Sequence, residues 1–117
     1  MDINRFHVGK RLSEIAVFNG TIYLAGQVPE DTTQDIIGQT REVLGHIDRL
    51  LAEAGSDKSR ILMCQLYLAN GADFAGMNVA WDEWVARGSS PPRATVVIAG
   101  LADPAWLVEA VVTAAVR

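Results

Sequence analysis

A single cysteine, Cys64, stands among the 117 residues, so no disulfide can form within the chain. Its place inside an apolar run reads as an inert core thiol rather than a reactive one. No run approaches the roughly 20 apolar residues of a membrane span, and the opening MDINRFHVGKRLSE holds no apolar stretch resembling a signal peptide. The expected location is therefore the cytoplasm. Familiar catalytic signatures are absent as well: there is no G-x-G-x-x-G, P-loop, H-E-x-x-H, C-x-x-C or G-x-S-x-G. The two histidines, His7 and His46, are isolated in sequence, which disfavours a metal site, and nothing calls for a cofactor. Ten basic against fourteen acidic residues give a formal charge of −4. That balance argues against a dominant phosphate-binding surface, because nucleic-acid affinity rests on clustered Lys and Arg. A small anionic ligand remains within reach of one local arginine.

Apolar residues, by contrast, are abundant at 50%. The length fits one domain, residues 1–117, which buries very roughly two thirds of its unfolded surface without a disulfide or metal staple. So apolar a composition in so short a chain points to further burial between subunits.

No internal repeat, low-complexity tract or linker divides the chain. Glu14 to Phe18 and Thr21 to Ala25 flank Asn19-Gly20, a hairpin with a type I′ turn. Asp31, with Gln34 three residues on, resembles a capping box that opens a helix. The face of that helix runs through Ile37, Thr40, Leu44, Ile47, Leu51 and Ala54 to a stop at Gly55. Gly38 and Gly45, seven residues apart inside it, suggest close approach to a sheet. Ile61 to Leu68 is apolar on both alternating faces apart from Gln65, the pattern of a strand covered by helices on one side and by a partner subunit on the other. Phe74, Met77, Trp81 and Trp84 mark a second amphipathic helix, capped at Asp73 and stopped at Gly88. Met63, Met77 and the three tryptophans fit a core. Two more strands complete an order of strand, strand, helix, strand, helix, strand, strand. Helices packed on one face would leave the other face of the sheet needing cover.

The stretch from Pro91 to Glu109, PPRATVVIAGLADPAWLVE, concentrates the chemistry. Arg93 opens a β-branched strand and shares a side with Thr95 and Val97. The next strand holds one charge, Glu109, on the side of Leu107 and Val111. Taken as neighbouring strands, the two carry single charges of opposite sign, and an uncompensated buried charge costs on the order of several kcal/mol. A salt bridge is one reading of the pair. The other is a small hydrolytic site, in which a guanidinium grips a ligand carboxylate through parallel hydrogen bonds beside a carboxylate that orients water.

Four segments, Gly26-Gln27-Val28-Pro29, Asp73-Phe74 to Asn78 (DFAGMN), Pro92-Arg93-Ala94-Thr95-Val96 and Leu107-Val108-Glu109, resemble in order and spacing the Rid family of reactive-intermediate deaminases, also called YjgF-type or L-PSP proteins. The resemblance spans nearly the whole chain from about Leu12. It implies a chorismate-mutase-like α+β fold, a mixed sheet with two helices on one face. It also implies a homotrimer whose sheets face a central barrel and whose ligand clefts lie between subunits. In the family's deaminases the arginine matching Arg93 holds the carboxylate of a 2-imino or 2-enamino acid. The glutamate matching Glu109 helps place the water that attacks the imine carbon, giving a 2-oxo acid and ammonia. Backbone at Gly26 and Thr95 would help line the cleft. The best-known subgroup carries a glycine-proline-tyrosine run where this chain has Lys10-Arg11-Leu12-Ser13-Glu14, and a second acidic residue where this chain has Val111. The sequence thus looks more like a sister subgroup.

Deamination is the leading expectation. A carboxylate-binding protein using the same cleft without turnover is the alternative. An endoribonuclease of the L-PSP type is a third reading, weakened by the acidic balance and the lack of a paired histidine motif.

Overall fold

A computed structural model describes residues 2–117. Six strands and two α-helices follow in the order β1 (Asn4–Val8), β2 (Ser13–Phe18), β3 (Thr21–Leu24), α1 (Ile36–Glu53), β4 (Ile61–Leu68), α2 (Phe74–Trp84), β5 (Arg93–Val97) and β6 (Val108–Ala115). The strands make one sheet in the order β1-β2-β3-β6-β4-β5. All neighbours are antiparallel except β4 and β5, which are parallel. A parallel pair cannot be closed by a tight turn, and α2 supplies the crossover. No helix among the described residues is long and apolar enough to cross a membrane.

The β2–β3 hairpin forms as expected. Asn19 and Gly20 both take positive φ, 52° and 80°, the backbone that a type I′ turn requires. β1 was not expected. It is an edge strand whose residues, apart from half-buried Phe6, are exposed on both faces, so no apolar alternation marks it in the sequence. His7 sits within it at φ 53°.

The capping box at Asp31 is corrected. Asp31 instead accepts hydrogen bonds from the Thr33 amide and hydroxyl in a local turn, and Asp35 caps α1 by accepting from the Gly38 amide at 2.9 Å. At the other end the Ser56 amide donates to the Leu51 carbonyl and the Gly55 amide to Ala52, a Schellman closure at the expected glycine. The glycines inside α1 do not meet the sheet. Gly45 is exposed with open space around it, and a side chain at Gly38 would strike Gln34 of the preceding loop. α2 ends at Trp84, earlier than the expected stop at Gly88, and Asp73 makes no capping hydrogen bond with its side chain.

Both helices cover one face of the sheet. Ile15, Ile22, Cys64, Leu66, Val108 and Val112 point into a core with Val43, Leu44, Ile47 and Leu51 of α1 and Met77 and Trp81 of α2. The opposite face is uncovered by the described residues. Tyr23 is 51% exposed and Leu62 50%, with Met63 and Val96 also open. The apolar second face of β4 is thus real, and no described residue of the chain covers it.

Candidate functional site

Arg93 and Glu109 are not on neighbouring strands. β4 lies between β5 and β6, which corrects the expectation and changes the geometry of the site. Arg93 pairs with Cys64, whose side chain is wholly buried under the helices, so the guanidinium faces the helix layer. Its Nη1 donates to Asn78 Oδ1 at 2.8 Å, and its Cζ lies 5.0 Å from the centre of the Trp81 ring. Glu109 pairs with Tyr67 on the uncovered face. With strands about 4.8 Å apart and residues about 3.3 Å apart along a strand, the two α-carbons are about 14 Å from each other. Within one chain the charges are on opposite faces and form no ion pair.

Two candidate clusters result. The first holds Arg93, Thr95, Asn78 and Trp81. Thr95 follows Arg93 on the same side of β5, opposite Leu66, and its buried hydroxyl has no hydrogen-bond partner. Cys64 adjoins this group, yet burial pushes its thiol up to about 12 even with the Arg93 charge pulling the other way. It therefore stays a protonated, weakly nucleophilic thiol at neutral pH, as expected of a core cysteine.

The second cluster joins Gly26 and Glu109. Past the end of β3, Gln27 exchanges both backbone hydrogen bonds with Ala110 at 2.8 and 3.0 Å, which lays Gly26 directly on the Glu109 side chain. A methyl group at Gly26 would overlap the carboxylate. Gln27 is fixed in turn by its own side chain, whose amide donates to Glu14 Oε2 and to the Ala25 carbonyl, each at 3.0 Å. Partial burial without a compensating charge raises the Glu109 carboxyl above the ordinary 4.5.

A cleft of about 510 Å³ opens between the hairpin side of the sheet and α1, lined by His7, Glu14, Gly26, His46, Glu53 and Trp106 among others. Gly26 is its one residue in common with the expected site. The histidines, distant in sequence, both reach it. His7 Nε2 meets Glu53 Oε2 at 2.5 Å. His46 is largely buried, near Arg49 and Glu42.

Nothing in the sequence marks Asn78 and Trp81 as site residues. Asn78 closes the DFAGMN segment, and Trp81 has the helical spacing of a core residue. Their spacing of three places them on one helical face, and that face turns out to meet Arg93.

A single mixed sheet backed by two helices, with a half-buried arginine on its edge strand and a glutamate held against a glycine, defines an α+β protein of the kind found in YjgF structures. Similarity to known proteins is specific. The family described as Endoribonuclease L-PSP matches residues 3–116. A RutC family protein of Haemophilus ducreyi is 54% identical over 115 residues, covering 98% of this chain and 97% of its own. The RutC family protein YoaB of Escherichia coli K12 is 44% identical, covering 99% and 100%. Among solved structures, NMB1025 of Neisseria meningitidis, a member of the YjgF protein family, superposes with a TM-score of 0.96 at 48% identity, covering 100% of this chain and 97% of that one. The chain belongs to the YjgF/L-PSP family.

Proposed function

We propose that this protein hydrolyses 2-imino acids, and the 2-enamino acids that tautomerise to them, to 2-oxo acids and ammonia, in clefts formed between the subunits of a homotrimer. The observation that carries the reading is the opposed placement of the two charged groups. Arg93 and Glu109 act on one ligand only if they come from different copies, and the uncovered apolar face gives a second copy something to bury. In that cleft Arg93 grips the substrate carboxylate, with Thr95 beside it. Glu109, held by Gly26, takes a proton from water as the oxygen adds to the imine carbon. Glu109 passes that proton to the nitrogen to give the carbinolamine, then relays the hydroxyl proton to the amine, so that the carbon–nitrogen bond breaks, the ketone forms and ammonia leaves. An imine is already electrophilic, so positioning a water and a carboxylate is most of what the site must do. The acidic balance of the chain favours this small-anion chemistry over cleavage of a polyanion.

The test is a coupled assay. A dehydratase generates the imine, and its decay is followed with and without this protein. Light scattering on the same sample reports the assembly. Decay faster than the protein-free control, carried by a trimer, is expected. A wild-type protein that binds 2-oxo acids but never exceeds the control is a carboxylate-binding protein instead, and a stable active monomer removes the intersubunit cleft.

A further inference from the structure

We propose that Trp81 is a positioning residue for Arg93, setting the plane in which the guanidinium meets a planar carboxylate. The inference rests on the reading of Arg93 as the carboxylate grip. Only 6% of Trp81 is exposed, and in most cores such an indole is simply packing. Here one face of the ring lies 5.0 Å from the Arg93 Cζ, within the range of a cation–π contact, which strengthens as the cation loses water.

The ring is itself held. Trp84 packs against it with centroids 5.3 Å apart and planes tilted by 55°. Trp84 is anchored to α1 by its Nε1 donating to Asp48 Oδ2 at 2.9 Å, and Lys58 donates to its backbone carbonyl. A chain of contacts thus runs from α1 through two indoles to the guanidinium. Asn78 takes an Nη1 hydrogen at 2.8 Å and fixes rotation about the axis that stacking leaves free. One polar contact and one covered face define the orientation, and the other N–H groups remain available to a ligand. A guanidinium ordered in advance loses less freedom when it forms parallel hydrogen bonds with a carboxylate. Removing the ring should therefore weaken ligand binding through Arg93 while leaving the proton transfer at Glu109 alone.

The test has a ligand-free and a ligand-bound arm, each on wild type, Trp81→Phe and Trp81→Leu. Without ligand, the ¹⁵N NMR signal of the Arg93 side chain should show a ring-current shift and slow rotation about Nε–Cζ. Both should survive in the phenylalanine variant and vanish in the leucine variant. With pyruvate as probe, calorimetry should show binding weakened about three- to thirtyfold by Trp81→Leu, the span expected of a partly desolvated cation–π contact, and much less by Trp81→Phe. In the imine assay the leucine variant should raise KM and leave kcat nearly unchanged. An unshifted, freely rotating Arg93 signal in wild type overturns the proposal whatever binds. So does an equal loss of pyruvate binding in both variants that tracks a loss of melting temperature, since that is packing alone. An ordered Arg93 in a wild-type protein that binds no 2-oxo acid refutes the proposed function, and with it any ligand-facing role for Trp81.

Discussion

Gly26→Ala separates the chemistry of Glu109 from the stability of the fold. Gly26 is exposed and its φ lies outside the left-handed region, so alanine meets no backbone strain. Its methyl group would nonetheless occupy the space of the Glu109 carboxylate, and the contacts run from Oε2 through the carboxyl carbon to the γ-carbon. The clash is with the far end of a flexible side chain, which relieves it by turning away at about 0.5 to 1.5 kcal/mol if an off-rotamer geometry is forced. Thermal unfolding should therefore change little. The carboxylate, however, leaves the position from which it acts on water, and hydrolysis should slow toward the level of Glu109→Gln, a loss of about 10² to 10⁴. The double variant Gly26→Ala/Glu109→Gln should be scarcely slower than either single one, because both remove the same function. The assay is imine decay over the protein-free control, with pyruvate calorimetry and melting measured on the same samples. Full activity in Gly26→Ala, where Glu109→Gln is slow, would refute the argument that this close approach holds the carboxylate in place.

Arg93→Ala should weaken 2-oxo acid binding by about a hundredfold or more, since charge-assisted hydrogen bonds contribute about 1.5 to 3 kcal/mol each; calorimetry reads it, and Arg93→Lys should recover little because it lacks the planar fork. Glu109→Gln should retain most pyruvate affinity while losing turnover. The pH dependence of that turnover follows from the same residue. Within one chain its carboxyl holds a proton more tightly than the ordinary 4.5; where the positive charge of a second copy does not offset this, activity should rise with pH through an inflection above that value, and Glu109→Gln should abolish this limb. The stability sign is the reverse: a raised carboxyl pKa means folding loses stability as pH climbs from the unfolded value through the folded one. Glu109→Gln should therefore stabilise the protein at neutral pH relative to pH 4, as melting curves would show. Leu62→Asp, on the uncovered face, should dissociate the proposed trimer in light scattering and abolish activity with it.

What could be read in the sequence was local. Asn19-Gly20 announced its hairpin because two positive φ values in succession admit few other residues, and the alternation of β5 and β6 assigned each side chain to the correct one of two sides. The phase between those strands was not legible. It depends on β4 entering between them, a tertiary choice that leaves no mark in either strand, and so the sequence alone makes Arg93 and Glu109 look like neighbours. Asp31 and Asp35 compete for one role. The spacing of Asp31 to Gln34 satisfied the capping pattern, but Asp35 lies beside the first residues of α1. β1 escaped notice because an edge strand wet on both sides needs no apolar alternation. Among the expected site residues, Gly26 and Glu109 meet, and Arg93 and Thr95 share one side of β5. Trp81 was hidden by its own chemistry, since an indole at helical spacing looks the same whether its face meets leucine or arginine.

The opposite-face placement of Arg93 and Glu109 has a genetic meaning. On the proposed assembly, an Arg93→Ala chain and a Glu109→Gln chain are each inactive alone, but a cell making both in equal amounts would mix them. About a quarter of the clefts would then draw an intact arginine from one parent and an intact glutamate from the other. Two null alleles would complement each other, whereas either one co-expressed with wild type would silence about half of the clefts. Lesions at the two ends of one short sequence segment would thus behave as though they belonged to separate genes.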